Sequence, residues 1–197
     1  MIAGVVLAGG RSTRMGADKA TIRLAGTMLV DIGLARLAPQ VAQVAVSANV
    51  ELPTLLARGV PVLGDTLPDF QGPLAGVLEA MEWARSAGAE RVATIPVDSP
   101  FFPADYVARL SDRARAQKTP VARSAGRLHP TCALWPVSAA ESLRAFLAIG
   151  QSRRVVDFLA RLDMVEVDFA DDGGDPFFNV NTPDDLRIAE ARLGRAS

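Results

Sequence analysis

The short apolar run Ile2-Ala3-Gly4-Val5-Val6-Leu7 leads straight into Ala8-Gly9-Gly10-Arg11-Ser12-Thr13-Arg14-Met15-Gly16-Ala17-Asp18-Lys19. An apolar run this short, with no polar alternation, reads as a strand covered on both faces, as in the middle of a parallel sheet. Glycines in the loop that follows let backbone N–H groups approach an anion with no Cβ in the way. Arg14 and Lys19 bring positive charge suited to phosphate oxygens. The loop is therefore expected to hold a nucleotide; the plainer alternative is a tight strand-to-helix turn whose basic residues face water. The spacing departs from the commoner phosphate motifs. There is no G-x-G-x-x-G, and Gly16 is followed by Ala17-Asp18-Lys19 rather than directly by a lysine and a hydroxyl residue, as a P-loop requires.

Beyond the loop, short β-rich runs alternate with longer amphipathic ones, the pattern of βαβ units around a mostly parallel sheet. Strands are predicted at Ile2–Leu7, Val41–Ala48, Val60–Leu63, Arg91–Pro96, Thr119–Arg123, Thr131–Trp135 and Met164–Val167. Helices are predicted at Leu29–Leu37, Leu74–Ala87, Ala104–Ala116, Val137–Leu147, Arg153–Leu162 and Pro183–Leu193. Thr182 ahead of Pro183-Asp184-Asp185 supplies an N-cap, a proline in the first helical position and acids in the first turn. The expected architecture is an α/β Rossmann-like fold with helices flanking a central sheet.

The chain has 197 residues, 49% of them hydrophobic, and a net charge of −1. These values suit one domain spanning 1–197 with a large core, and they give no basic excess for a nucleic-acid footprint. Charged residues interrupt every apolar stretch before it reaches the roughly 18 residues of a membrane span, and no charged segment precedes the first apolar run. A cytoplasmic location is expected, with neither nucleic acid nor membrane as partner. Cys132 is the lone cysteine and His129 the lone histidine, so an internal disulfide and a Cys/His zinc site are both excluded. Any metal must sit on oxygen ligands. Cys132 lies in the apolar run Cys132-Ala133-Leu134-Trp135 and reads as a buried, inert thiol.

In open α/β sheets, ligands bind beyond the carboxyl ends of the strands. Asn49, Asp65 and Asp98 each closely follow a predicted strand, and Ser47 closes one. Any of these alone suits a turn or cap role. Together with the glycine loop they converge on one edge, as a nucleotide site requires. Asn179 and Asn181 flank Val180 at strand spacing, which puts both amides on one face; the other reading is that Asn181 helps to set the Thr182 cap. His129, ahead of Pro130, reads as a polar anchor for a loop rather than a general base.

The string L-A-G-G-x-S-x-R-M-G-x-D-K over residues 7–19 resembles the signature of the MobA-type nucleotidyltransferases, which include molybdenum cofactor guanylyltransferases. Four further segments extend the likeness over nearly the whole chain: Gly72-Pro73-Leu74-Ala75-Gly76, Pro96-Val97-Asp98-Ser99-Pro100-Phe101, Arg127-Leu128-His129-Pro130-Thr131 and Asn179-Val180-Asn181-Thr182-Pro183-Asp184-Asp185-Leu186. Ser47 departs from the asparagine that some relatives carry, which removes an amide from that position.

The resemblance implies transfer of GMP from GTP to the terminal phosphate of molybdopterin, with release of pyrophosphate. It implies Arg14, Lys19 and Asp98 as catalytic residues and Mg²⁺ on Asp98. GTP would meet Leu7, Ala8, Gly9, Gly10, Gly16, Lys19, Ser47, Asn49, Asp65 and Asp98. The pterin-bearing substrate would approach Gly72, Gly76, Asn179 and Asn181. Related cytidylyltransferases carry L-A-A-G where this chain has Leu7-Ala8-Gly9-Gly10, so Gly9 is expected to favour a purine. Arg153-Arg154 is either a solvated helix start or a grip on the second substrate's phosphate. The resemblance also implies transient contact with proteins that deliver molybdopterin and with molybdoenzyme chaperones. Two alternatives stand beside this reading: a cytidylyl- or sugar-phosphate nucleotidyltransferase of the same fold, and a nucleotide-binding protein that lost turnover.

Overall fold

The computed structural model describes residues 1–9, 19–50, 52–64, 72–115, 118–171 and 173–195. Its centre is β1 (Ile2–Leu7), whose inner four residues are buried. Parallel strands flank it: β4 (Gln43–Ser47) on one side and β6 (Arg91–Pro96) on the other, with β5 (Val62–Leu63) outside β4. Beyond β6 the sheet continues through β8 (Arg127–Pro136), β7 (Thr119–Ser124) and β9 (Met164–Asp168). β8 alone among the seven runs antiparallel to its neighbours, while β7 and β9 pair in parallel. The expected mostly parallel, Rossmann-like sheet is therefore present.

Side chains alternate between the faces of each strand, so every inner strand supplies two apolar layers. Val6, Val46, Ile95 and Leu134 meet α1 (Leu29–Leu37) and α4 (Tyr106–Arg113), with the edge of α7 (Pro183–Arg195). Val5, Ala45, Val92 and Trp135 meet α3 (Pro73–Ser86), α5 (Ala140–Ile149) and α6 (Val155–Leu159). At roughly 1.5–3 kcal/mol for each fully buried large apolar side chain, these two layers hold the sheet between its helices. Between them a small buried polar network is fully used: the Trp135 indole N–H donates to Thr94 Oγ1 at 2.8 Å, that hydroxyl donates to the Thr131 carbonyl at 2.6 Å, and the Tyr106 hydroxyl donates to the Thr94 carbonyl at 2.8 Å. No helix among the described residues is long and apolar enough to cross a membrane.

Several elements depart from the sequence reading. A short helix α2 (Pro53–Ala57) and a hairpin of β2 (Arg23–Leu24) and β3 (Thr27–Met28) are additional. The predicted helices at 104–116 and 153–162 shrink to Tyr106–Arg113 and Val155–Leu159, and 137–139 forms a separate 3-10 turn. The strand predicted from Thr131 begins instead at Arg127, as the return arm of a hairpin with β7. Pro130, which would break a regular ladder, is absorbed by a register shift: Ala122 faces His129 but Val121 faces Ala133.

Strand endings are what position a site. Leu7 pairs with Ser47 and with Pro96, and Ser47 with Leu63, so β1, β4, β5 and β6 all stop at one level. The ladder runs one step further, with the Ala8 N–H donating to the Ser47 carbonyl at 2.7 Å, Ala48 to Leu63 at 2.9 Å and Val97 to Leu7 at 2.9 Å. Gly9, Asn49 and Asp98 therefore emerge from a common carboxyl edge.

Candidate active site

Asp98 occupies that edge as a buried carboxylate, only 5% exposed. The Lys19 ammonium donates to Asp98 Oδ2 at 2.6 Å and to Asn181 Oδ1 at 2.6 Å. Three segments far apart in sequence thus meet at one cation. The 179–181 segment is fixed to the edge by the Val180 N–H, which donates to the Asp98 carbonyl at 2.8 Å, and by the Ser99 hydroxyl, which donates to Asn179 Oδ1 at 3.2 Å. Val180 is fully buried while both asparagines flank it on the cleft side, the alternation their spacing implies. Thr182 and Asp185 form a reciprocal cap on α7: the Asp185 N–H donates to Thr182 Oγ1 at 3.1 Å, and Asp185 Oδ2 accepts from the N–H groups of Asn181 and Thr182 at 3.0 and 2.9 Å. Asn181 therefore serves both readings, its backbone in the cap and its amide oxygen on Lys19.

Asp98 Oδ1 is buried and has no hydrogen-bond partner among the described residues. An orphaned carboxylate oxygen beside an ammonium could take a further cation, and a hard oxygen donor suits the chemistry of Mg²⁺, which keeps several of its own waters. The described residues contain no group of three or more His, Cys, Asp or Glu that could hold a metal ion.

The other expected site residues fall into distinct places. Ala8 is buried and Gly9 exposed at the end of β1; among the described residues, a methyl built on Gly9 would meet nothing closer than the Asn49 side-chain nitrogen at 3.8 Å. Ser47 is buried and points at α3, where a methyl on Gly76 would sit 2.8 Å from its hydroxyl oxygen. At Gly76, α3 thus packs against Ser47 of β4 with no room for a side chain. Gly72 precedes that helix at φ +133°, a backbone region that favours glycine. Gly10, Arg14, Gly16 and Asp65 lie outside the described residues. Arg153 and Arg154 are exposed ahead of α6.

Next to Asn181 opens a cleft of about 420 Å³, lined among others by Pro96, Arg127, His129, Asp175, Phe177 and Asn179. His129 lies on β8 rather than in a loop, and its anchor runs through a residue that sequence reasoning missed. Asp175 Oδ1 accepts from the Ser124 hydroxyl at 2.6 Å and from the Phe177 N–H at 2.9 Å. With the Ser124 proton committed to Asp175, His129 Nε2, 2.8 Å from Ser124 Oγ, must carry the hydrogen and donate. Burial, reinforced by the nearby Arg127 charge, holds the imidazole below its ordinary range against the opposing pull of Asp175 and Ser124. His129 is accordingly neutral at pH 7. Ser124 and Asp175 gave no signal in the sequence, because their contact spans the hairpin and a distant glycine-rich turn. Cys132 is also buried here; burial and then the Asp98 charge push its thiol well above the usual range, which leaves it protonated and unreactive.

Residues 4–165 match the model of the MobA-like NTP transferase domain. The chain is 46% identical to a molybdenum cofactor guanylyltransferase of Sinorhizobium fredii, covering 97% of this chain and 91% of the relative. It is 47% identical to one of Mesorhizobium japonicum, covering 98% and 95%. Among solved structures, a molybdopterin-guanine dinucleotide biosynthesis protein A from Archaeoglobus fulgidus superposes with a TM-score of 0.78 at 25% identity, over 99% of this chain and 100% of that one. With its aligned strand ends, its Lys19–Asp98–Asn181 junction and this likeness along almost its full length, the chain belongs to the MobA-like NTP transferase family.

Proposed function

We propose that this enzyme transfers GMP from GTP to the terminal phosphate of molybdopterin, forming the guanine dinucleotide of the cofactor and pyrophosphate. The observation that carries the reading is the single Lys19 ammonium held by Asp98 on the sheet edge and by Asn181 on the cleft wall. It stands where a nucleotide on the edge and an acceptor in the cleft would meet. The reaction forms a bond from an acceptor phosphate oxygen to the α-phosphorus of GTP and breaks the bond from that phosphorus to the bridging oxygen of the leaving pyrophosphate. The attacking group is already an anion, so no protein nucleophile and no general base are called for. Alignment and charge neutralisation are what the protein must supply.

Each residue's part follows from its position. Lys19 has its ammonium within reach of both half-sites and offsets charge that moves from the α-phosphorus toward pyrophosphate. Arg14 and the Gly9–Gly16 loop are assigned to the triphosphate, and Ala8, Gly9, Asn49 and Asp65 to the guanosine; Ser47, expected from the resemblance to meet GTP, is instead buried with its hydroxyl against α3 and supports the edge from behind. Asn181, with its oxygen on Lys19, has its NH₂ group left to donate to the acceptor phosphate, and Asn179, whose oxygen accepts from Ser99, does the same. Asp98, through its unpartnered Oδ1, would hold Mg²⁺, which when bound supplies Lewis-acid polarisation of phosphate oxygens. The protein acts in the cytoplasm as a single domain, with GTP and molybdopterin as substrates and proteins that deliver molybdopterin as transient partners.

The test is a transfer assay with molybdopterin and Mg²⁺ in which GTP, CTP, UTP and ATP are offered separately. Guanine dinucleotide and stoichiometric pyrophosphate are expected from GTP at a kcat/KM at least about tenfold above any other nucleotide. Equal or better use of CTP overturns the reading in favour of a cytidylyltransferase, and no transfer from any nucleotide overturns it altogether.

A further inference from the structure

The β7–β8 hairpin passes beyond the edge on which the site is built. In the register that pairs Thr94 with Ala133, the level of Pro96 falls opposite Thr131, so residues 127–130 continue past the carboxyl edge. At about 3.3 Å per residue, Arg127 stands roughly 13 Å beyond it. Arg127 and His129 share one face of β8, and both line the cleft. Ala125 and Gly126 make the turn, at φ +48° and +72°, so Arg127 is the first strand residue after the tip.

The charges around this cleft are unevenly committed. Asp175 is engaged by the Ser124 hydroxyl and the Phe177 N–H, and Asp185 by the N–H groups of Asn181 and Thr182. His129 is neutral. Arg127 is exposed, and its guanidinium makes no ion pair or hydrogen bond among the described residues. An exposed guanidinium on the cleft wall, with no partner among the described residues and with the neighbouring carboxylates held by other donors, is available to pair with an anionic group in the cleft. Its position is fixed as well as its charge: Asp175 ties the hairpin, through Ser124, to the segment that carries Asn179 and Asn181.

We propose that Arg127 is a specificity-determining residue that grips an anionic group of the acceptor, remote from the phosphate that attacks. This rests on the function proposed above, because it takes the cleft as the acceptor's site. The acceptor is then recognised at two ends. Its attacking phosphate lies at the junction of Lys19 and Asn181, and a second anionic group lies under the hairpin tip. A molecule that carries only the phosphate monoester would bind poorly.

Initial-rate measurements on wild type, Arg127→Ala and Arg127→Glu, with GTP and molybdopterin varied in turn, test this. A guanidinium–anion contact is expected to appear as a rise of about tenfold or more in KM for molybdopterin in the alanine variant and a larger rise in the glutamate variant. KM for GTP, kcat at saturating molybdopterin and the melting temperature should stay near wild type. An unchanged KM for molybdopterin in both variants overturns the proposal, as does a rise in KM for GTP of equal size, which would assign Arg127 to the nucleotide. Wild-type enzyme that transfers nothing to molybdopterin is a different result. It shows the failure of the proposed function, whereas failure of the Arg127 assignment appears in the variants alone.

Discussion

Substituting Gly76 by alanine separates packing from substrate contact, because the structure specifies what the new methyl would strike. It would lie 2.8 Å from Ser47 Oγ, 3.4 Å from Leu7 Cδ2 and 3.7 Å from Ser47 Cβ. The first distance is shorter than a carbon–oxygen contact tolerates, and both α3 and β4 are held in packed layers. Overpacking of this kind costs about 1–3 kcal/mol, and the better helix propensity of alanine returns roughly 0.5–1 kcal/mol. The net expectation for Gly76→Ala is a loss of about 0–2.5 kcal/mol in urea unfolding. In a Ser47→Ala background the 2.8 Å contact is gone and only ordinary contacts remain. There the same substitution should stabilise by about 0.5–1 kcal/mol, so the double-mutant cycle gives a coupling of about 1–3 kcal/mol. Equal costs of Gly76→Ala in the two backgrounds would refute the clash. Transfer activity, referred to Ser47→Ala alone, adds a second readout. If Gly76 acts through packing, activity recovers with stability in the double variant. A KM for molybdopterin that stays high despite recovered stability would show instead that Gly76 touches the acceptor.

Lys19→Ala is expected to cut transfer by about 10²–10³-fold, since a charge-assisted contact to departing pyrophosphate is lost, and to lower the melting temperature because Asp98 is left buried without a cation. Adding Asp98→Asn to that variant should restore the melting temperature without restoring activity; wild-type turnover in Lys19→Ala would remove the lysine from the mechanism. Asp98→Asn alone should collapse activity and shift its Mg²⁺ dependence, and full activity at unchanged Mg²⁺ would rule out the metal assignment. Gly9→Ala should leave stability unchanged, because Gly9 has no left-handed φ and a methyl there would meet, among the described residues, only Asn49 at 3.8 Å; the GTP to CTP preference should narrow, and a constant ratio would count against Gly9 as the base selector. For His129, whose folded form resists protonation, the unfolded chain binds the proton more readily, so stability is fully present above the ordinary value of 6.5 and falls as pH drops below it. Urea midpoints measured from pH 7.5 to 5 should show that slope in wild type and a shallower one in His129→Gln; parallel slopes would mean that the imidazole is not held neutral.

The sequence was most readable where the structure is most regular. The apolar runs of β1 and β6 and the residues just beyond them, Gly9 and Asp98, follow from period and strand-end rules alone, and both strands lie where expected. Both hairpins escaped notice for one physical reason. Their turns are Ala25-Gly26 and Ala125-Gly126, in which an alanine adopts a positive φ that sequence reasoning assigns to asparagine, aspartate or glycine. Pro130 then hid the start of β8, since a proline argues against a strand unless an irregular register absorbs it. The Lys19–Asp98–Asn181 junction was legible as a list of residues but not as a contact, because Asn181 lies 162 positions from Lys19. Ser124 and Asp175 were not legible at all. A hydroxyl in a strand and an acid in a glycine-rich turn acquire meaning only when the β7–β9 and α7 regions are brought together.

The common stopping point of β1, β4 and β6 also governs how the site responds to thermal motion. Ala8, Ala48 and Val97 each take up one more ladder hydrogen bond beyond the last paired residues, so their amides belong to the innermost hydrogen-bonded block. Opening them requires disrupting the middle of the sheet rather than fraying a loop, which places them at the slow end of amide exchange. On the proposed function, the backbone at Ala8, Ala48 and Val97 is ordered when the chain folds, and binding GTP against it would cost little further conformational entropy there. Affinity on this side of the site should follow the global stability of the sheet, and a substitution deep in either apolar layer that loosens β1 would weaken nucleotide binding from a distance.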